Sequence, residues 1–171
     1  MVARRLEPPC IPHKHALVRP IDSFLRVALT AVHQLLKAGW LVRRPRTYGA
    51  HGYALTPDGS LVLVKLRYAA GWRLPGGGRK MGEDPVDAVL RELREEIGMI
   101  DYTTVRVACE LEQAVTFKHD LCSLLIVEGV RYRPPRWSWE VERIIEVVPD
   151  DLPSGMAPIS QRWIAAIRER L

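Results

Sequence analysis

The stretch GGGRKMGEDPVDAVLRELREEIGM, residues Gly76–Met99, decides how this chain is read. It opens on a glycine-rich turn and runs into a helix whose end signals agree with one another. Asp84 is placed to cap the N-terminus, Pro85 suits the first helical position, and Asp87 sits favourably in the first turn. Gly98 can take the left-handed conformation that ends a helix. Between these caps Val86, Val89, Leu90, Leu93 and Ile97 form one apolar stripe, which should pack on a sheet. Glu92, Glu95 and Glu96 crowd a neighbouring face at the C-terminal end, with Cβ atoms roughly 5–6 Å apart. Like charges at that spacing cost roughly 0.2–0.5 kcal/mol per pair, and carboxylates in a last turn oppose the helix dipole at roughly 0.3–1 kcal/mol each. A helix that obeys every other rule and breaks this one points to function.

An ordinary solvated face, with Arg91–Glu95 as an i, i+4 ion pair, would explain the charge by itself. The turn in front of the helix weighs against that reading. Gly76, Gly77, Gly78 and Gly82 let backbone groups approach a ligand closely. Hard divalent cations take carboxylate and carbonyl oxygens. Turn and helix together suit a magnesium site for a phosphate-bearing substrate.

Outward from this stretch the chain reads as strands on both sides of the helix and a second helix at the end. TYGAHGYALT and SLVLVKLRY read as strands separated by the Pro57–Asp58–Gly59 turn, and are expected to pair as a hairpin. WRLPGGG leads into the helix. After it TTVRVACELEQAV, HDLCSLLIVEGV and VERIIEVV read as three further strands, the last two separated by a loop, RYRPPRWSW. The sheet should end at Asp150–Leu152–Pro153, and APISQRWIAAIRERL reads as a closing helix with Ile159, Trp163, Ile167 and Leu171 on one stripe. The fold class expected is an α/β sandwich with a mixed sheet.

Gly77, five residues, Glu83, seven residues, then Arg91-Glu92-Leu93-Arg94-Glu95-Glu96-Ile97-Gly98-Met99 resembles the Nudix box, GX5EX7REUXEEXGU with U a bulky apolar residue, at every fixed position. Leu74-Pro75-Gly76 also looks like its usual lead-in. The resemblance covers roughly residues 47–153 and implies a Nudix-type α/β/α sandwich. It divides the chain into a basic N-terminal arm and helix, 1–46, and a Nudix hydrolase domain, 47–171. By this resemblance Glu95 and Glu96 match carboxylates that ligate Mg²⁺ or Mn²⁺, and Glu92 a third ligand or the base that helps activate water. Gly77 matches the glycine whose carbonyl joins the metal shell, while Glu83 and Arg91 match residues that orient the loop and the carboxylates by ion pairs. Such families hydrolyse a nucleoside diphosphate linked to another moiety. The rival, from a different class, is a Nudix-fold module that binds or senses a nucleotide without turnover.

Beyond the box, Glu140 and Glu142 lead as sources of a further carboxylate, followed by Glu110 and Glu112; for each the plain alternative is a solvent-facing strand glutamate. Gly77, Gly78, Trp72 and Glu140 are the candidate substrate contacts. Trp72, Trp137 and Trp139 could stack on a base, although Trp72 also suits the core. His119–Asp120 begins a strand and reads there as a turn. Which diphosphate is the substrate cannot be read from these segments.

The three cysteines, Cys10, Cys109 and Cys122, form no CxxC pair, which argues against a disulfide framework or zinc site and favours a reducing cytoplasm. The histidines His13, His15, His33 and His51 show no metal spacing beyond a weak H-x-H in the arm. No apolar run reaches the roughly 18 residues a membrane span needs, and the N-terminus does not read as a signal peptide. The formal charge of +5 is unevenly placed: residues 1–46 hold nine Lys and Arg against two acidic residues, the remainder 16 against 18. Nucleic acid is therefore not the expected partner on charge alone. Residues 1–20 read as an irregular Pro- and Arg-rich arm and 21–42 as a helix ending near Gly39, followed by RRPR. That helix is read first as packing on the domain or on a second copy in a homodimer. Its second reading is peripheral membrane contact through residues 21–46, where Trp40 and Arg43, Arg44 and Arg46 would meet anionic lipid; a nucleic-acid arm is third.

Overall fold

The computed structural model describes residues 46–115 and 118–170, and before them Val27, Ala28 and Ala31, which are helical. The expectations for residues 1–20, for the rest of the 21–42 helix and for the linker after it lie outside the described residues, as does Leu171. Side chains of residues 113–120 also lie outside them; the backbone at His119 and Asp120 is strand, paired with Arg46 and Thr47, and not the expected turn.

Nine strands and two helices follow in chain order: β1 (Arg46–Ala54), β2 (Leu61–Leu66), β3 (Trp72–Arg73), β4 (Gly76–Gly78), α1 (Pro85–Ile97), β5 (Met99–Asp101), β6 (Thr104–Val115), β7 (Lys118–Glu128), β8 (Arg131–Tyr132), β9 (Val141–Val147) and α2 (Pro158–Arg168). A four-stranded sheet runs β4-β1-β7-β6, a three-stranded sheet β3-β2-β9, and β5 pairs with β8. The larger sheet is mixed: β1 runs parallel to β7, with Ala50 opposite Ser123, whereas β4–β1 and β6–β7 are antiparallel.

β2 and β7 are apolar on both faces because both faces are covered, as expected for strands buried between helices. Along β7, Leu125 and Val127 enter a core with Val89, Leu93 and Ile97 of α1, while Leu124 and Ile126 enter a second core with Trp163, Ile164 and Ile167 of α2. β2 divides in the same way, Val62 and Val64 toward α1 and Leu61 and Leu63 toward α2. This two-residue alternation between two helix-capped cores is the α/β/α sandwich expected from the sequence.

The expected pairing of the first two strands is not what forms. β1 pairs with β4 and β7, and β2 with β3 and β9; only one antiparallel bridge, Leu55–Leu61, joins the arms of the turn between them. The turn itself is well made, with Thr56 and Ser60 exchanging hydrogen bonds and the Thr56 hydroxyl donating to the Asp58 carboxylate. A good turn fixes a reversal of direction; it does not fix which strands then pair. RYRPPRWSW, read as a loop, contains the short strand β8, and WRLPGGG, the lead into the helix, contains β3 and β4. Cys122 is buried and Cys109 half-buried, and neither is in a disulfide among the described residues. No helix among the described residues is long and apolar enough to cross a membrane.

Candidate active site

Helix α1 forms as its sequence dictates. The Asp84 carboxylate accepts from the Val86 amide at 2.8 Å, Pro85 opens the helix, and Gly98 closes it at φ 72°, its amide donating to the Leu93 carbonyl. The apolar stripe lies against β1, where a Cβ at Gly52 would come within 3.0 Å of the Val89 side chain. That close seat sets the height of the glutamate face above the turn.

The turn is held from both sides. Gly76 sits at φ 138°, and a Cβ there would come within 2.3 Å of the Ala50 carbonyl oxygen, so only glycine fits. Its amide donates to Glu96 Oε2 at 2.8 Å. Arg79 donates from Nε and Nη2 to the Glu83 carbonyl, at 3.1 and 2.8 Å, and from Nη1 to the Ser123 hydroxyl at 3.4 Å; that hydroxyl in turn donates to Glu110. This use of Arg79 and of Glu110 had no sequence signal, since it depends on which strand crosses beneath the loop.

Arg91 is the hub. It binds both Glu83 oxygens, Nε to Oε1 at 2.8 Å and Nη2 to Oε2 at 3.0 Å, and it also donates to Glu92 Oε1 at 2.7 Å and to the Gly78 carbonyl at 3.0 Å. The Arg91–Glu95 pair that a solvated face would make is present but longer, at 3.6 Å. Glu83 also accepts from the Lys80 amide at 2.7 Å. The Arg91 guanidinium, then this amide, hold its carboxyl down at about 2.

The three glutamates of α1 differ in environment. Glu96 is only 5 % exposed, and burial pushes its carboxyl up to about 8 against the Gly76 hydrogen bond. Burial also raises Glu92, with the Arg91 contact opposing it. Its carboxylate lies against the turn, where a Cβ on Gly77 would approach Oε1 to 2.7 Å. The Glu95 side chain is 61 % exposed. Among the described residues no group of three or more His, Cys, Asp or Glu side chains is already drawn into a metal cage.

A cleft of about 550 Å³ opens beside the turn. Gly76, Gly77 and Gly78 line it together with Glu92, Glu95 and Glu96; Tyr68 and the segment Pro135, Trp137, Ser138, Trp139 and Glu140 complete it. Glu140 thus shares the cleft with the box glutamates. Trp72 does not line it: its indole packs in the α2 core, and its backbone exchanges hydrogen bonds with Gly155 and Ala157. Glu142 and Glu112 do not line it, and Glu110 serves Ser123. Tyr68 and Ser138, absent from the sequence-based candidates, sit in the bend after β2 and in a loop, where only the folded chain brings them to the box.

The NUDIX domain model matches residues 45–167. The chain belongs to the Nudix family. Members of this family act broadly on nucleoside diphosphate derivatives and typically use Mg²⁺ or Mn²⁺. This Nudix chain is 35 % identical over 99 residues to the RNA pyrophosphohydrolase of Rhizobium meliloti (strain 1021), covering 54 % of this chain and 56 % of that protein. It is 41 % identical over 51 residues to Nudix hydrolase 25 of Arabidopsis thaliana, 29 % of each. The Nudix chain thus spans about half the length, or less, of the curated relatives it matches. Among solved structures it resembles the MutT Nudix hydrolase from Burkholderia pseudomallei, with TM-score 0.60 and 23 % identity over 71 % of this chain and 97 % of that one. It also resembles the E. coli ORF135 protein, with TM-score 0.58 and 20 % identity over 74 % and 91 %. These two likenesses are of fold.

Proposed function

We propose that this Nudix chain hydrolyses the diphosphate linkage of a nucleoside diphosphate derivative or nucleoside triphosphate by attack of water at phosphorus, with Mg²⁺ or Mn²⁺. The observation that carries this reading is the meeting, in one cleft, of three glutamates from one helix with a glycine turn that leaves backbone bare beside them. The donor set fits a hard cation, since Glu92, Glu95, Glu96 and the Gly77 carbonyl offer oxygen only. The raised Glu92 and Glu96 carboxyls fit it too: burial disfavours their charge, and a cation would restore it. When bound, the cation neutralises the non-bridging phosphate oxygens and lowers the pKa of a water.

The remaining work belongs to the chain. Arg91 fixes Glu92 against the turn and ties it to Glu83, so that the loop and the helix move as one body. Glu92 either adds a ligand or takes the proton from the attacking water. Gly77 and Gly78 admit the phosphates, and Glu140 contacts the substrate from the opposite segment, a role supported by its share in the lining of the cleft. Glu95 is the exposed member of the three that line the cleft.

Replacing Glu95 by Gln tests this. Turnover in Mg²⁺ should be abolished across a panel of nucleoside diphosphate derivatives, nucleoside triphosphates and 5′-triphosphate RNA, with the thermal midpoint retained. The RNA belongs in the panel because RNA pyrophosphohydrolases are among the similar proteins. The rival is a module that binds nucleotide without turnover, which a degenerate box would favour; this box is intact. Ligand binding by the parent protein with no phosphate product anywhere on the panel would select that rival.

A further inference from the structure

The Nudix cleft holds two tryptophans that no part of the hydrolytic chemistry uses. Trp137 is 48 % exposed and Trp139 62 % exposed, and both line the cleft that contains the glutamates. Large indoles left half in water at the wall of a cleft form the kind of apolar surface that marks a binding site.

Their exposure is not slack in the loop, because the residues between and after them are pinned. The Ser138 hydroxyl oxygen accepts from the Val141 amide at 3.0 Å and from the Glu140 amide at 3.3 Å. The Ser138 carbonyl accepts from Arg67 Nε at 3.2 Å, and the Glu140 carbonyl accepts from the Arg67 amide at 2.8 Å. Backbone polar groups of the segment are thereby satisfied against the end of β2 while the indoles on either side of Ser138 stay uncovered. The two rings meet edge to face, with centroids 4.3 Å apart and planes at 79°. They form a corner. A planar ring stacked on one indole would lie nearly perpendicular to the other, and both contacts are favourable for aromatic surfaces.

We infer that this corner seats the nucleobase of the substrate, so that the Nudix chain selects a diphosphate carrying an aromatic base over one that does not. The inference rests on the proposed function for the position of the diphosphate at the glutamates, and adds the group that must lie beside it. Stacking is tolerant of base identity because every base has a π-face, so the corner discriminates base from no base rather than one base from another.

Quenching of intrinsic fluorescence in Mg²⁺, with product formation followed separately, tests the inference. The probes are ADP, GDP and the base-less ribose 5-diphosphate, titrated into the full chain and into W139A, W137A, the double variant and W139F. The parent should bind both nucleotides about 5- to 150-fold more tightly than the base-less compound, the range expected for one stacked base. That gap should close in the double variant, narrow in each alanine variant and be largely kept in W139F. Because the double variant loses the reporter indoles, calorimetry supplies its affinities, and a retained thermal midpoint excludes unfolding as the cause. Equal affinity of the parent for nucleotide and base-less ligand, no binding of either, or a gap that survives the double substitution would each overturn the inference. Failure of the hydrolase reading appears differently, as a preserved base-dependent gap with no product.

Discussion

At the scale of single residues, the carboxyl of Glu96 makes the most direct prediction. Its ordinary value is 4.5, and burial in the fold pushes it up to about 8. A raised acid is favoured neutral by the fold, so the folded state is at its best below the unfolded value. It loses stability as pH climbs from about 4.5 to about 8. Glu92 is shifted in the same direction and adds to the trend. Glu83 behaves oppositely, held down at about 2 by Arg91, and its contribution disappears only in acid, outside that window. In chelator the thermal midpoint of the parent should therefore fall between pH 5 and 8, by an amount on the order of a few kcal/mol in stability. Glu96→Gln should flatten the slope, and millimolar Mg²⁺ should flatten it in the parent, because a cation beside Glu96 favours the charged form. A midpoint that stays level with pH in chelator would contradict the buried-acid reading. Sequence made the box residues legible one by one, because Gly77, Glu83 and Arg91 to Met99 keep fixed spacing along the chain. It could not show that Glu96 is buried while Glu95 stands in solvent, since that depends on which face of α1 meets the turn and β1.

At the scale of elements, α1 is held by a cap at each end, and the two ends should differ in what they tolerate. Asp84→Ala removes one side-chain hydrogen bond to the Val86 amide and should cost about 1 kcal/mol. Gly98→Ala should cost more, about 1–3 kcal/mol from backbone strain at positive φ, and a clash adds to it. A Cβ there would sit 2.1 Å from the Arg133 carbonyl oxygen, while the Arg133 amide donates to the Gly98 carbonyl at 3.0 Å. Urea denaturation of both variants checks the order, and an equal loss would show that the Arg133 contact yields freely. Both caps were readable in the sequence, because capping is decided within a few residues. The contact with Arg133 was not: it joins residues 35 positions apart. The hairpin expected for the first two strands failed for the same physical reason. Thr56 to Ser60 encode a tight turn, but pairing energy is set by the neighbours each strand finds, and β1 finds β7 and β4. The short strands β3, β4 and β8 were hidden because two or three residues carry no periodicity of their own.

At the scale of the molecule, two cores share the same strands but serve different ends. The core under α1 carries the helix that holds the glutamates, and the core under α2 closes the opposite face. Leu93 and Ile164 are equivalent by burial, at 0 % and 1 % exposed, and truncating either to alanine should cost about 2–5 kcal/mol. Their effects on the site should separate. Leu93 packs where α1 seats on β1, close to Gly52, so its loss lets the helix shift relative to the Gly76–Gly78 turn that shares Glu96 and Arg91. Ile164 lies across the sheet, in the other core. Measured by calorimetry well below the melting temperature, Leu93→Ala should weaken Mg²⁺ binding by about tenfold, in the range found when supports behind a metal site are removed. Ile164→Ala should leave it within twofold while losing comparable stability. Equal weakening in both would mean that the site senses overall stability; weakening in Leu93→Ala alone would mean that it senses the placement of one helix.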